Sequence, residues 1–476
     1  MLQRYRTQIA GEFRDTANFQ LIKSPYDGEP VAEVGEANAA DLEAAIAAAH
    51  AAFESGMRPA TYERAAVLTR IAQVLQDKSA QLAELITRES GKPIRYARAE
   101  VARAALTFTL GAGESRRLGG EVLPIDQLPG AEGRLCLFER VPRGPIAAIA
   151  PFNFPVNLVA HKLSPALALG APTVLKPAQQ SPLTAHALGQ WLLDAGLPER
   201  ALSVLHMPPE VAEKLVTDER MAVLSFTGSD SLGFRLKSIA GKKSVLLELG
   251  GNAPCVIDQG VNLDAVVPRG AEGCWANAGQ VCIKVQRVFV HKQLFSEFVE
   301  RFVRFSERVV CGDPLREETT VGPLIEAKHV TRVLDWVREA KEGGARVLLG
   351  GHAEGQIVYP TILSNTSEQM RVCRDEIFGP VAVVEAVDSF DDALEACNRS
   401  RFGLQAGIFT NDVGHALSAF RRLRFGAVLI NETPMLRVDN YPYGGMKDSG
   451  LGREGVRYAV EEFSEPKVLI LAPPVA

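Results

Sequence analysis

Short apolar runs alternate with helical patterns along most of the chain, and this alternation predicts its architecture. Five runs before residue 250 are each long enough for one buried strand: 146–150, 173–176, 202–206, 222–227 and 244–248. Helical stretches separate these runs. We therefore predict an α/β fold with a doubly wound parallel sheet that is covered on both faces.

A second α/β domain is predicted after residue 250. Its strand-like runs are residues 255–258, 285–291, 345–349 and 381–387, with helical patterns over 295–310 and 329–343. Ahead of the first sheet, short strands are predicted at 5–9 and 19–23, followed by a helix capped by Asn38 and helices over 62–75, 79–90 and 94–108. Alternating segments at 134–140 and 467–471 are predicted to pair with each other or with another subunit.

Composition narrows the class of protein. The 476 residues suffice for about three structural units, and the hydrophobic (46%) and charged (23%) fractions are typical of globular enzymes. The net charge of −5, without runs of like charge, argues against nucleic acid and membrane surfaces as partners. Seven scattered cysteines, without zinc-type spacing, favour a reducing cytoplasm and no metal site, and the first residues lack the apolar stretch of a signal peptide.

One cysteine stands where it can react. Residues 277–282 end a helical pattern and lead into the strand-like run 285–291, with Gly279 three residues before Cys282. A cysteine at such a junction can be partly exposed and can add its thiolate to a carbonyl carbon. The alternative is an inert, buried thiol, which is the common state of a lone cysteine.

Two further segments follow predicted strands of the first sheet. Glu248 ends an apolar strand before two glycines, where a general base is useful or where an ordinary ion pair would lie. Residues 226–229, followed by Gly233, lead from strand into helix, and Gly228 and Ser229 could face a phosphate or form a plain helix start. Neither segment decides a function alone.

Six ordered motifs together resemble the aldehyde dehydrogenase superfamily over nearly the whole chain. They are residues 151–155, 176–178, 226–229, 248–251, 279–282 and 376–380. The resemblance implies that Cys282 is the nucleophile, that Asn153 stabilises the oxyanion and that Glu248 activates the water that hydrolyses a thioester. His161 is equally well explained as a core histidine, and we assign it no role.

The resemblance also implies a dinucleotide site for NAD or NADP. Lys176 would hold the adenosine ribose, Gly228 and Ser229 the pyrophosphate, Glu376 the nicotinamide ribose, and Phe378 would pack by the nicotinamide. Relatives that use only NAD tend to carry a glutamate three residues after the lysine. Here that residue is Gln179, which removes a repulsive charge and admits NADP.

Residues 100–103, 437–439 and 444–450 look like the branch that contains lactaldehyde, phosphonoacetaldehyde, sulfolactaldehyde and non-phosphorylating glyceraldehyde-3-phosphate dehydrogenases. Arg103 and Arg437 match arginines that grip the substrate anion in phosphate-specific members, although two ordinary surface arginines would look the same. Val281 and Phe154 depart from the phosphate-specific pattern. A short, hydroxylated or anionic aldehyde is the expected substrate.

The family's architecture implies a dinucleotide-binding domain (1–120 and 141–249), a catalytic domain (250–450) and a small oligomerisation element (121–140 and 451–476), with a homodimer or homotetramer as the assembly. Three alternatives stay open. A CoA-acylating semialdehyde dehydrogenase would usually lack Glu248, a cysteine-dependent hydrolase without redox chemistry would leave Lys176 unexplained, and a non-catalytic relative would be free to lose Cys282.

Overall fold

The computed structural model describes residues 2–56 and 58–473. Its largest sheet has eight strands. Across the sheet they are Gly450–Leu451, Ser244–Glu248, Val223–Thr227, Ile146–Ile149, Thr173–Lys176, Leu202–Val204, Thr7–Ile9 and Glu12–Arg14. The five strands between the first and the last two run parallel, which confirms the predicted parallel sheet, and the outer strands pair antiparallel.

The strand order creates a crevice at the carboxyl ends of the parallel strands. From the central strand Ile146–Ile149 the chain first builds to one side through Thr173–Lys176. It later returns to the other side of the same strand at Val223–Thr227. Ligands of open α/β sheets bind where the strand order reverses in this way. The loops that follow these strands therefore lie around this crevice.

Helices cover both faces of this sheet. Ala148 and Leu175 lie in the core shared with one helical layer, whereas their chain neighbours Ala147 and Val174 lie in the core shared with the other. The first layer contains Thr61–Asp77, Ser79–Ser90, Ile94–Arg117, Asn157–Leu169, Leu183–Asp194 and Val456–Phe463; the second contains Ala39–Glu54, Pro209–Thr217 and Asp230–Ile239. The doubly wound arrangement is thus confirmed.

Two helix boundaries show how local chemistry sets these elements. Asn38 caps Ala39–Glu54 as predicted: its side chain accepts from the N–H of Asp41 (3.1 Å), and the Asp41 carboxylate accepts the Asn38 N–H (3.0 Å). Helix Ile94–Arg117 runs nine residues past the predicted end at 108. It continues through Gly111 because the missing side chain lets the helix pack directly on Ser164.

The second large sheet has seven strands. In spatial order they are Arg346–Leu349, Thr361–Ser364, Val381–Val387, Val285–His291, Ala253–Ile257, Gln405–Phe409 and Ala427–Ile430. All pairs are parallel except the edge pair formed by Arg346–Leu349. Its helices are Leu263–Trp275, Lys292–Ser306, Ala327–Glu342, Arg371–Arg374, Phe390–Asn398 and Val413–Arg422. The predicted second α/β unit is present.

A separate antiparallel sheet joins distant parts of the chain. Ser464–Leu471 pairs over its full length with Leu135–Pro142, which in turn pairs with Gly120–Leu123. The two predicted marginal strands therefore pair with each other. The domain boundaries stay a prediction, and residues 474–476 of the expected small element lie outside the described residues.

The remaining strands form small sheets. They are Arg4–Tyr5, Pro30–Glu36 and Asn18–Lys23 in one sheet, Ala353–Glu354 with Ile357–Val358, and Phe402–Gly403 with Met446–Lys447. Single 3₁₀ turns cover Glu199–Ala201 and Ala276–Gly279. Among the described helices, none has the length and apolar character needed to cross a membrane.

Candidate active site

A cleft of about 800 Å³ opens at the carboxyl ends of the first sheet and is closed on the other side by loops of the second. Nine of the eleven predicted site residues line it: Asn153, Lys176, Gln179, Gly228, Ser229, Glu248, Cys282, Glu376 and Phe378. These residues come from four strand ends and two loops that are far apart in sequence. The fold thus brings them together, while Arg103 and Arg437 lie outside this lining.

Cys282 reaches the cleft on a distorted loop. Helix Leu263–Trp275 ends in a turn in which Asn277, Ala278 and Gly279 all have positive φ angles of 53°, 54° and 67°. Such angles are unusual for residues with a Cβ, and they persist only where the surroundings hold them. The turn reverses the chain so that the partly buried Cys282 follows directly.

Two glycines allow three loops to meet at this point. A side chain at Gly279 would overlap the carbonyl oxygen of Gly379, and one at Gly251 would overlap the carbonyl oxygen of Cys282. The loops that contain Glu248, Cys282 and Glu376 are therefore in direct backbone contact. This contact explains why glycines follow Glu248 and precede Cys282.

Asn153 is fixed on the loop that carries the cysteine. Its side-chain Nδ2 donates to the carbonyl of Gln280 (2.9 Å). The side chain of Gln280 in turn accepts from the N–H of Ile325 (3.0 Å) and donates to the carbonyl of Pro323 (3.3 Å). An amide held in this way is a preorganised donor next to the sulfur.

Among the described residues, the thiol of Cys282 has one hydrogen-bond contact, at 3.2 Å to the hydroxyl of Tyr443. Burial raises the pKa of Cys282 to about 11, against the lowering influence of Tyr443 and of the Arg437 charge. Val281, Ile283, Leu404 and Tyr443 form the apolar cluster around the sulfur. The thiolate therefore needs further stabilisation before it can react near neutral pH.

Glu248 is buried, with 3% of its surface exposed, at the end of strand Ser244–Glu248. Within residues 2–56 and 58–473, neither of its carboxylate oxygens has a hydrogen-bond partner. Burial raises its pKa well above the ordinary value, and the negative charge of Glu454 adds to this effect. An ion pair at a strand end, the alternative interpretation, does not describe this side chain.

A buried ionic cluster lies beside Glu248. Glu454 is contacted by the Lys162 Nζ at 3.5 Å and the Arg437 Nη2 at 3.1 Å. Lys162 also donates to the hydroxyls of Ser225 (3.1 Å) and Thr227 (2.8 Å) on the strand adjacent to Glu248. Burial would raise the pKa of Glu454, but the neighbouring cations outweigh burial and keep it below the ordinary value.

The two predicted substrate arginines meet at Asp439. Arg103 donates two hydrogen bonds to its carboxylate, at 2.7 and 3.1 Å. The Arg437 Nε lies 3.4 Å from the same carboxylate, and its guanidinium lies 3.6 Å from the ring centre of Tyr443. His161 Nε2 is 2.8 Å from Asp439 as well. Arg437 is a buried residue rather than a surface one, with 5% of its side chain exposed.

The opposite end of the cleft suits a dinucleotide. Burial lowers the pKa of Lys176 to about 8, and within the described part of the chain its Nζ donates one hydrogen bond, to the Pro177 carbonyl at 3.1 Å. Helix Asp230–Ile239 begins at Ser229, whose side chain makes no capping bond to the described part of the chain. The first N–H groups of this helix are therefore available to an anion.

Glu376 and Phe378 lie between the two ends of the cleft. The Glu376 carboxylate accepts the N–H of Gly251 (2.8 Å), and burial raises its pKa to about 7. Phe378 has a positive φ of 44°, and its ring meets Phe152 edge-on at 6.0 Å. Both side chains are thus held by the loops around Cys282.

Sequence reasoning missed Tyr443, Lys162 and Glu454. Lys162 adjoins His161 on a helix whose residues are otherwise almost all apolar, and a lysine in that setting was the available signal. Tyr443 and Glu454 come from a loop and carry no local signal. They reach the site through a pair of backbone hydrogen bonds to each other, at 2.7 and 3.0 Å.

Comparison with known proteins identifies the family. The sequence pattern of the Aldehyde dehydrogenase family matches residues 14–469. The chain is 40% identical over 471 residues to a 3-sulfolactaldehyde dehydrogenase of Priestia aryabhattai, covering 99% of this chain and 98% of that protein. Its fold matches that of aldehyde dehydrogenase 21 from Physcomitrella patens in complex with the reaction product succinate (TM-score 0.96, 39% identity, 99% and 98% of the chains covered).

A second solved structure gives the same result. Glyceraldehyde-3-phosphate dehydrogenase GapN from Methanocaldococcus jannaschii, complexed with NADP, superimposes with a TM-score of 0.92 at 34% identity over 96% of this chain and 100% of that one. Each match spans nearly the entire chain and includes both large sheets. The chain therefore belongs to the aldehyde dehydrogenase family.

Proposed function

We propose that this NAD(P)-dependent aldehyde dehydrogenase oxidises a short anionic aldehyde to the carboxylate with Cys282 as nucleophile, Asn153 as oxyanion donor and Glu248 as general base. The observation that carries the proposal is that the predicted catalytic and cofactor-binding residues line the same cleft. The sulfur, amide and carboxyl group line one part of it, and Lys176 and Ser229 line the other. This arrangement supports the proposal that the cofactor and the aldehyde bind next to each other at the Cys282 sulfur.

The residues of the cleft fit a dinucleotide. The uncapped start of helix Asp230–Ile239 supplies N–H donors for the pyrophosphate. A side chain at Gly228 would overlap the ring of Phe226, so glycine lets this turn pack closely before the helix. Lys176 and Glu376 supply a donor and an acceptor for the hydroxyls of the two riboses. The nicotinamide, when bound, supplies the acceptor for the hydride of the aldehyde.

The first half-reaction uses Cys282 and Asn153. The thiolate attacks the aldehyde carbon, a C–S bond forms, and the carbonyl oxygen becomes an oxyanion. One N–H of the Asn153 amide is used by Gln280, so the other remains for this oxygen. Loss of the hydride from the same carbon converts the thiohemiacetal into a thioester.

The second half-reaction uses Glu248. In its ionised form the carboxylate accepts a proton from water, and the resulting hydroxide attacks the thioester carbon. The C–S bond breaks, the carboxylate product leaves, and the electron pair returns to Cys282. The absence of a hydrogen-bond partner on Glu248 within the described residues leaves both oxygens free for that water.

An anionic substrate is supported by relatives and by charge. Three relatives support an aldehyde with an anionic group. One is named a 3-sulfolactaldehyde dehydrogenase, one was solved with the product succinate, and one is a glyceraldehyde-3-phosphate dehydrogenase. Arg103 and Arg437 are the candidate anion contacts. Since Asp439 already neutralises part of their charge, a singly charged sulfonate or carboxylate is favoured over a phosphate. Val281 fits this choice, because phosphate-specific members carry an arginine there.

The antiparallel sheet and the cysteines support proposals for the oligomeric state and the cellular location. We infer a homodimer or homotetramer joined through the antiparallel sheet of Ser464–Leu471, since its apolar side chains are exposed and its outer strands have free edges. A cytoplasmic location is supported by the seven cysteines, all of which are free.

The test compares aldehydes, cofactors and one variant. Reduced cofactor is followed with sulfonated, carboxylated, phosphorylated and uncharged short aldehydes, each with NAD⁺ and NADP⁺. We expect the highest kcat/KM for a singly charged anionic aldehyde, and no turnover in Cys282→Ser although that variant still binds dinucleotide. Cys373→Ser is the matched control, because its sulfur contacts Thr366 instead of the cleft.

Two results would contradict the proposal. Turnover in Cys282→Ser would exclude Cys282 as nucleophile, and wild-type protein without turnover on any aldehyde would favour the hydrolase alternative. Adding CoA distinguishes the acylating alternative. We expect free carboxylate as the product with and without CoA, because Glu248 is present to direct water to the thioester.

A further inference from the structure

Tyr443 is the polar group closest to the reactive sulfur. Its hydroxyl lies 3.2 Å from the Cys282 Sγ, and in the described part of the chain this sulfur is its one hydrogen-bond partner. The neighbouring Tyr441 differs, because its hydroxyl is bonded to Gln405 Oε1 at 2.7 Å. Only one of the two tyrosines can therefore serve the nucleophile.

The position of Tyr443 is fixed on three sides. Its side chain is buried, with 2% of the residue exposed. Its backbone exchanges hydrogen bonds with Glu454, at 3.0 and 2.7 Å. Its ring lies 3.6 Å below the Arg437 guanidinium, which Glu454 holds by an ion pair of 3.1 Å. The hydroxyl cannot leave the sulfur without disrupting these contacts.

The direction of the hydrogen bond follows from protonation. Burial raises the pKa of Tyr443 well above its ordinary value, so the phenol stays protonated and can donate. A thiolate has no proton and can only accept. The contact therefore becomes a charge-assisted hydrogen bond when Cys282 ionises, and it weakens again once the sulfur is bonded to carbon.

We propose that the Tyr443 hydroxyl is a catalytic hydrogen-bond donor that stabilises and aims the Cys282 thiolate; this inference rests on the proposed function, in which Cys282 attacks the aldehyde. Arg437, which stacks on the Tyr443 ring, assists by keeping the phenol in place and by adding a positive charge near the sulfur. The Tyr443 hydrogen bond and the Arg437 charge together offset part of the increase in the Cys282 pKa that burial causes.

The test needs neither aldehyde nor cofactor. The rate at which iodoacetamide alkylates Cys282 is measured against pH by mass spectrometry of the peptide that contains it, in the wild type, Tyr443→Phe and Tyr441→Phe. We expect the midpoint for Tyr443→Phe to rise by about one pH unit, which is about tenfold less thiolate near neutral pH. Tyr441→Phe should match the wild type, because its hydroxyl does not contact sulfur.

Activity provides a second readout. The kcat/KM of Tyr443→Phe should fall about tenfold near neutral pH, and the deficit should close at high pH, where the thiolate forms unaided. A Tyr443→Phe midpoint equal to that of the wild type, or an equal shift in Tyr441→Phe, would overturn the inference. If thermal unfolding shows that Tyr443→Phe is less stable, the same comparison is made at a temperature where all three proteins are folded.

Different outcomes contradict the proposed function and the role of Tyr443. Retained turnover in Cys282→Ser would remove the proposed function. An inactive Cys282→Ser together with an unshifted alkylation midpoint in Tyr443→Phe would leave the proposed function intact and remove only the role of Tyr443.

Discussion

Glu248 is deeply buried, and both of its carboxylate oxygens lack a hydrogen-bond partner among the described residues, so its protonation state controls what it can do. Because burial raises its pKa, the carboxyl group is protonated at low pH and gains its base form as pH rises through the raised pKa. Hydrolysis of the thioester should accelerate over that pH interval. The attack by Cys282 should not share this dependence on Glu248.

Glu248→Gln should separate the two half-reactions. The amide cannot take a proton from water, so we expect a burst of about one equivalent of reduced cofactor per active site, followed by a slow, pH-insensitive phase. Rapid-mixing absorbance measurements record both phases, and the exposed Glu342→Gln serves as control. Loss of the burst itself would show that Glu248 acts before the thioester forms.

Arg437→Leu should raise KM for an anionic aldehyde far more than for propanal, and the difference should shrink as ionic strength rises. The same change leaves Glu454 with fewer buried partners, which lowers the free energy of unfolding by about 3–5 kcal/mol. Steady-state kinetics and urea unfolding measure the two effects independently. Equal KM changes for both aldehydes would exclude Arg437 as a contact of the substrate anion.

At the scale of elements, we propose that the loop after strand Thr173–Lys176 determines the preference between NAD and NADP. Gln179 lines the cleft beside Lys176, where a carboxylate would face the 2′-phosphate of NADP. Gln179→Glu should therefore weaken use of NADP relative to NAD by about 1–3 kcal/mol, or roughly tenfold to a hundredfold in kcat/KM. Gln76→Glu, on the exposed side of helix Thr61–Asp77, is the control. An unchanged ratio would mean that residue 179 does not face the ribose.

The sequence was most informative in the first sheet, where short buried apolar runs alternate with helical patterns. The five parallel strands of the first sheet, including Ile146–Ile149 and Ser244–Glu248, were all predicted. Thr361–Ser364, Gln405–Phe409 and Ala427–Ile430 were missed, since a run of four or five residues has no distinctive local pattern of its own. Tertiary pairing, rather than propensity, determines such strands.

The candidate site shows the same limit. Motifs placed nine residues in one cleft, because each motif is a strand end or loop with a characteristic local sequence. Tyr443 and Glu454 could not be found in this way. Their contribution depends on distances to Cys282 and Lys162, which are set only when segments more than 100 residues apart come together.

For the whole molecule, we propose that the antiparallel sheet with exposed apolar side chains is the surface that joins subunits. The strand register puts Val122, Leu469 and Leu137 in one row and Leu471 with Leu135 in the next, and Val122 is 70% exposed. A double change of Leu469 and Leu471 to Asp should lower the solution mass toward that of one chain. Light scattering measures this, with Lys341→Asp, at an exposed position of helix Ala327–Glu342, as control. An unchanged mass would exclude this sheet as the interface.

The backbone contacts around the active site also restrict redesign. Gly251 and Gly279 each lie against a carbonyl oxygen of another loop, without space for a single methyl group. Energetic effects of changes in such contacting segments are not additive. Residues 248–252, 277–282 and 376–380 therefore behave as one replaceable unit, and an engineer who grafts a new nucleophile loop from a relative has to graft its two neighbours with it.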